Sequence, residues 1–188
     1  WGSMWGNPGD AEYWRNLVAN LANVVRAAAA CLRPVKMGFG KGAAEFNINR
    51  RRPSADGAVL APNPDSVVDH RVKVLTVVDA AANPSRIAIA SPVSVLMHFA
   101  CHPTIMAMEN LEISPDFPGV AQAHVEQSLS EGREGKQLAS GQTPVAQFMQ
   151  GCCGDVRPNL TEPDATEFRA GTKQDAEQLG GILGAEVT

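Results

Sequence analysis

The chain has 188 residues, 44% hydrophobic and 19% charged, and sixteen Lys and Arg against twenty Asp and Glu leave a net charge of −4. That balance excludes a disordered tail, and an acidic chain of this kind has no general attraction for nucleic acid. Seventeen Gly and thirteen Pro demand many turns and exclude a simple helical bundle, and no apolar run approaches the ~20 residues that span a bilayer.

The first predicted element is a helix. After Asn7-Pro8-Gly9-Asp10, apolar residues fall at Trp14, Leu17, Val18, Leu21, Val25, Ala28 and Leu32, one stripe at spacings of three and four. Asp10 is placed to cap it and Pro34 to stop it. From Lys36 to Asn49, three glycines and the alternation of Ala44, Phe46 and Ile48 with Glu45, Asn47 and Asn49 predict a short strand or hairpin. Arg50-Arg51-Arg52-Pro53 is expected to end it, and Ser54 to Asp69, with Pro62 and Pro64, reads as a long polar loop.

Val72–Val78 is rich in β-branched residues and predicts a strand, and Asn83-Pro84-Ser85 a turn before another at Arg86–Ala90. Val93–Ala100 is a buried-type strand. A loop runs from Cys101 to Pro118. A helix over Gly119–Leu129 is expected to group Val120, Ala123, His124 and Gln127 on one face. Ser130–Thr143 is a polar connection and Pro144–Met149 a short strand. A closing helix over Lys173–Val187 carries Leu179, Ile182, Leu183 and Val187. Strands alternating with helices make the class α/β, a mixed sheet with flanking helices. No signal pattern opens the chain, which neither begins with Met nor ends outside a helical pattern. It reads as a single partial domain, residues 1–188, of a longer protein.

Four cysteines are too few and too irregularly spaced for a disulfide scaffold, so Cys31 and Cys101 are expected as buried thiols. Chemistry in α/β proteins gathers where strands end. Two such places are Phe99-Ala100-Cys101-His102-Pro103-Thr104, leading to Ile113–Gly119, and Gln150-Gly151-Cys152-Cys153-Gly154-Asp155-Val156-Arg157-Pro158-Asn159. His98 and His102 on one straight strand would stand ~13 Å apart, too far to share an ion whose ligands lie at ~2 Å. His102, just past its strand and before Pro103, is therefore the metal-ligand candidate, while His98 reads as a core histidine bonded to a backbone carbonyl. His70 reads as solvated, and His124 as a packing or surface residue. Asp116 is placed either to cap the following helix or to support a metal-bound histidine. Arg50 closes an alternating strand, where its planar fork can hold a carboxylate or an oxyanion. Arg157 has two readings, a grip on an anionic substrate group or a salt bridge to Asp155 or another nearby acid.

Taken in order, these motifs resemble the neutral/alkaline non-lysosomal ceramidase family. The matching stretches are Phe46-Asn47-Ile48-Asn49-Arg50-Arg51, Asn63-Pro64, the strand Val72–Asp79, His98-Phe99-Ala100-Cys101-His102-Pro103-Thr104, Ile113-Ser114-Pro115-Asp116 with Gly119, and Gly154-Asp155-Val156-Arg157-Pro158-Asn159. The resemblance runs from about Lys36 to Asn159 and implies a zinc-dependent amide hydrolase that cleaves ceramide to sphingosine and a fatty acid. It implies that His102 is a zinc ligand, with Asp116 behind it. It also puts Arg50 and Arg157 at the reacting centre and Asn49, Asp155 and Asn159 against the substrate. Zinc would acidify a bound water to ~pH 7 and polarise the amide carbonyl.

Two departures follow from the same resemblance. The family's other zinc ligands have no counterpart here, so the 188 residues alone are expected to be inactive. Arg157 stands where the family carries an active-site serine, and a guanidinium cannot act as an acyl nucleophile. Cys153, four residues earlier, is a thiol with nothing beside it in sequence to lower its pKa. The alternatives are a hydrolase of a more polar substrate and a non-catalytic binding module. The expected partners are a lipid or small-molecule substrate and the remainder of the chain, and the family resemblance implies an extracytoplasmic location.

Overall fold

A computed structural model describes residues 11–80, 92–107, 110–131 and 144–188. These form two compact units, one up to Pro34 and one from Val35 to Thr188. The first unit holds helix α1 (Ala11–Ala30), none of whose residues is buried. Its expected cap, Asp10, lies outside the described residues. Cys31, just past its end, is exposed rather than buried.

In the second unit, strands β1 (Val35–Ala43), β4 (Arg71–Asp79), β5 (Ser94–Phe99) and β6 (Val145–Gln150) form one sheet in the order β1-β4-β5-β6. The β1–β4 and β4–β5 pairs are antiparallel and β5–β6 is parallel, so the sheet is mixed. Parallel neighbours need a crossover, and helix α2 (Asp116–Glu131) lies in the chain between them. Strands β2 (Asn47–Ser54), β3 (Gly57–Asn63) and β7 (Val156–Pro158) make a second, antiparallel sheet in the order β3-β2-β7.

The expected loop over 54–69 is corrected here: β2 runs on through the three arginines and turns back as β3. Proline is admitted because β7 pairs only with Asn47–Asn49, leaving β2 a single partner at Pro53, while Pro62 lies on an edge strand. The predicted strand at Arg86–Ala90 and its turn lie outside the described residues.

Helix α2 buries Phe117, Ala121 and Val125, one residue per turn; of the group expected on one face, Val120 and His124 are half-buried and Ala123 and Gln127 exposed. Helix α3 (Lys173–Val187) buries Ala176, Gly180, Leu183 and Gly184, leaving Ile182 exposed. Glycine is required at two of these positions, because the helices approach closely. A Cβ on Gly180 would stand 2.7 Å from Phe117 O, and one on Gly184 would stand 2.7 Å from His124 Cβ. Thr172 and Asp175 cap α3 reciprocally.

The core joins the first sheet to α2 and α3 through Val72, Met97, Phe99, Phe117 and Leu183, with Phe46, just before β2, and Ile105 packed into it. Phe46 packs on Phe99 and Phe117 with ring centroids 5.0 and 5.4 Å apart. Asn47, buried beside this cluster, donates through Nδ2 to Ala100 O at 2.8 Å and to Asp69 O at 3.0 Å. Its Oδ1 accepts from His70 Nδ1, so His70 is a half-buried partner of the core and not a solvated residue.

Candidate active site

Three segments meet where the parallel strands β5 and β6 end. Phe99 and Gln150 are paired at that end, and Gly151 N donates to Phe99 O at 3.0 Å. Gly151 is needed there, since a Cβ would stand 2.9 Å from Ala100 Cα and 3.0 Å from the His98 ring. The chain leaving β5 is held to β7 by His102 N donating to Val156 O at 3.1 Å. The middle of β2 is held to the turn before β7 by Arg50 N donating to Asp155 O at 2.7 Å. Backbone hydrogen bonds thus bring residues 50, 102 and 154–157 together at the carboxyl end of the sheet, the place ligands occupy in α/β folds.

Arg50 Nη2 lies 3.3 Å from His102 Nδ1 and donates to Gly154 O at 3.0 Å. His102 is half-buried. Arg157 Nη2 reaches Thr104 O at 3.4 Å, and its guanidinium lies over the Phe168 ring, 4.4 Å from the centroid. Its partners among the described residues are thus a carbonyl and an aromatic face, and the alternative of a salt bridge to Asp155 is not what forms. The Asp155 carboxylate instead accepts from Asn49 Nδ2 at 2.9 Å. Burial, and then the neighbouring charge of Arg50, hold the Arg157 guanidinium below its usual value, although it stays protonated at neutral pH. Arg50 Nε and Arg157 Nε are both buried without a hydrogen-bond partner among the described residues.

Asp116 sits at the start of α2 with φ of 53°, a left-handed conformation that Asp tolerates better than most residues. Its carboxylate accepts from Phe117 N at 2.8 Å and from Met106 N at 2.9 Å, tying the segment after His102 to the helix. Asn159 is exposed; with Asn47, Asn49, Asn63 and His70 it lines a polar cleft of about 440 Å³. Arg50, His102 and Arg157 do not line that cleft. His98 Nδ1 is buried, and among the described residues it lacks the expected carbonyl partner. The Cys101 thiol is buried, and desolvation, with Asp116 and Cys153 nearby, pushes its pKa well up, so it is a neutral packing group.

Sequence reasoning missed the carbonyls of Gly154 and Thr104 and the Phe168 ring. A backbone oxygen leaves no mark in a sequence, and Phe168 stands in a stretch with no periodic pattern.

Among the described residues, no group of three or more His, Cys, Asp and Glu side chains converges as a metal site. His102 offers one imidazole where a zinc ion takes about four ligands. A zinc-bound histidine ordinarily donates its second ring N–H to an acceptor, whereas Arg50, at Nδ1, can only donate. These residues, as arranged, do not make a zinc site by themselves.

The family model described as neutral/alkaline non-lysosomal ceramidase, N-terminal, matches residues 10–178. The neutral ceramidase of Pseudomonas aeruginosa shares the fold with a TM-score of 0.58 at 22% identity, over 86% of this chain and 23% of that one. A ceramidase complexed with C2 matches with a TM-score of 0.57 at 24% identity, over the same shares of the two chains. The chain thus spans under a quarter of the length of these solved ceramidases. No curated protein matches it.

Proposed function

Because the chain belongs to the neutral/alkaline non-lysosomal ceramidase family, we propose that the whole protein is an amide hydrolase of ceramidase type, acting at the junction of Arg50 and His102. The observation that carries this reading is the 3.3 Å contact between those two side chains at the carboxyl ends of β5 and β6. Hydrolysis of an amide builds negative charge on the carbonyl oxygen, and a guanidinium held rigidly by a backbone carbonyl is suited to receive it. Gly154 O does that holding for Arg50. The His102 segment is fixed by its own backbone bond to Val156.

Ceramide as the substrate and zinc as the cofactor are proposed of the whole protein on family membership. In that reading, His102 is one zinc ligand and the others lie outside these 188 residues. The test is metal analysis and ceramide hydrolysis by the full-length protein. About one zinc per chain and measurable release of fatty acid are expected, both lost in His102→Ala. A folded, metal-free protein that hydrolyses no amide would overturn the reading in favour of a binding module.

A further inference from the structure

We propose that Arg157 and Arg50 form an anion-binding pair, and that the substrate of this site is an amide bearing a carboxylate or phosphate close to the scissile bond. The proposal deepens the hydrolase reading and rests on it for the position of the reacting group.

The placement comes from the ladder. β2 pairs Ile48 with Arg157 and Asn49 with Val156, and the next step is Arg50 N on Asp155 O. Arg50 is therefore a diagonal neighbour of Arg157 across the β2–β7 pair, a spacing of ~7–8 Å that long side chains bridge. Two guanidiniums so placed repel each other unless something negative sits with them. Among the described residues, neither has a carboxylate oxygen within salt-bridge distance. The Asp116 charge acts on Arg157 from beyond ion-pair distance, its oxygens accepting from two backbone N–H groups, and the Asp155 carboxylate is bonded to Asn49.

The hydrogen bonding of the pair is also incomplete. Each guanidinium buries its Nε without a partner, although each carries five N–H donors. Arg157 has only one long bond, to Thr104 O, and the Phe168 face beneath it fixes its plane without using its donors. A planar fork oriented in this way and left with free N–H groups matches an oxyanion, which accepts two parallel bonds from it. The depressed Arg157 pKa, caused first by burial and then by Arg50, is in line with this, since a bound anion would offset both the desolvation and the repulsion.

A neutral ceramide has no group for this second cation. An amide whose amine half ends in a carboxylate, as in an N-acyl amino acid, or in a phosphate, as in a phosphorylated N-acyl sphingoid base, supplies one. In either case the anion would reach Arg157 while the amide carbonyl lies at Arg50.

The experiment titrates the full-length protein with inorganic phosphate and with acetate at constant ionic strength, by calorimetry, for the wild type, Arg157→Ser and Arg157→Lys. We expect at least one anion to bind the wild type. Affinity should fall about tenfold or more in Arg157→Ser, with Arg157→Lys, which keeps the charge and loses the fork, in between. Phosphate binding alone points to the phosphate source and acetate binding to the carboxylate source. Circular dichroism checks that the variants fold, and Arg157→Lys preserves most of the side-chain volume if Arg157→Ser does not. Hydrolysis is then compared for ceramide, ceramide 1-phosphate and an N-acyl amino acid. The wild type should prefer an anionic substrate and Arg157→Ser should lose that preference. No binding of either anion, or equal binding by wild type and Arg157→Ser, overturns the proposal. Arg157-dependent anion binding without hydrolysis of any amide keeps the anion pair and removes the hydrolase reading. Ceramide hydrolysis without anion binding does the opposite.

Discussion

Arg50 Nη2 faces His102 Nδ1 at 3.3 Å, joining a strand of one sheet to the loop that follows a strand of the other. The guanidinium can only donate in this contact, while the part played by the ring nitrogen depends on the tautomer of His102. The pair is thus a directed contact between residues 52 positions apart in sequence.

Arg50→Ala removes the cation facing His102 and leaves the backbone bond to Asp155 in place. In the full-length protein it is expected to lower kcat/KM for amide hydrolysis about 100-fold, the usual loss when an oxyanion donor is deleted. Stability should fall by only about 1–2 kcal/mol, since the bond to the exposed Gly154 carbonyl and the contact with His102 are lost. Steady-state kinetics with thermal melts separate the two effects. Unchanged kinetics would take Arg50 out of the reaction.

Asn47→Ala leaves Ala100 O buried without its donor and frees His70 from its partner. The expected cost is about 2–3 kcal/mol, measured by urea denaturation, since an unsatisfied buried carbonyl bears its full desolvation penalty. A loss under ~0.5 kcal/mol would mean that the network does not join the two sheets energetically.

Gly180 and Gly181 are adjacent in α3, yet their substitution by alanine is expected to act in opposite directions. A Cβ on Gly180 meets Phe117 O at 2.7 Å and Val120 Cβ at 2.5 Å, whereas one on Gly181 meets nothing within 4 Å. Gly180→Ala should destabilise by about 1–3 kcal/mol through overpacking. Gly181→Ala should stabilise by up to ~1 kcal/mol through helix propensity. Thermal melts of the two variants side by side test the α2–α3 contact.

Asp175 joins Arg169, at 2.6 and 2.9 Å, to the Thr172 cap, and these bonds hold its carboxyl well below the usual carboxylate range. A depressed folded pKa means that the stabilisation is present above the unfolded value and lost as pH falls towards the folded one. Asp175→Asn should therefore cost about 1–2 kcal/mol at neutral pH, and the gap to wild type should narrow progressively as pH falls below about 4. Denaturant curves across that range check it; a gap that stays constant with pH would place the effect in packing.

Legibility followed the range of the forces. Helix α3 was read to its observed ends, Lys173 and Val187, because apolar spacing is a local signal. Strands β4, β5 and β6 were each placed within about a residue, since β-branched and apolar runs bounded by turn residues are local as well. The β2–β3 hairpin was misread because proline usually marks a loop. Whether proline is tolerated depends on how many neighbours a strand has, and that is a tertiary fact. Which residues of α2 are buried was not legible for a related reason: α3 and the core select Phe117, Ala121 and Val125.

By itself, the sequence determined the α/β class and the family, since each is encoded in residue types at short spacing, and it marked the two strand-end stretches proposed to carry chemistry. Only the tertiary structure decided that Arg50 reaches His102, that Asn47 holds His70, and that Arg157 rests on Phe168 and not on Asp155. Those contacts depend on backbone hydrogen bonds between segments far apart in the chain, and the atoms that make such bonds are the same in every residue.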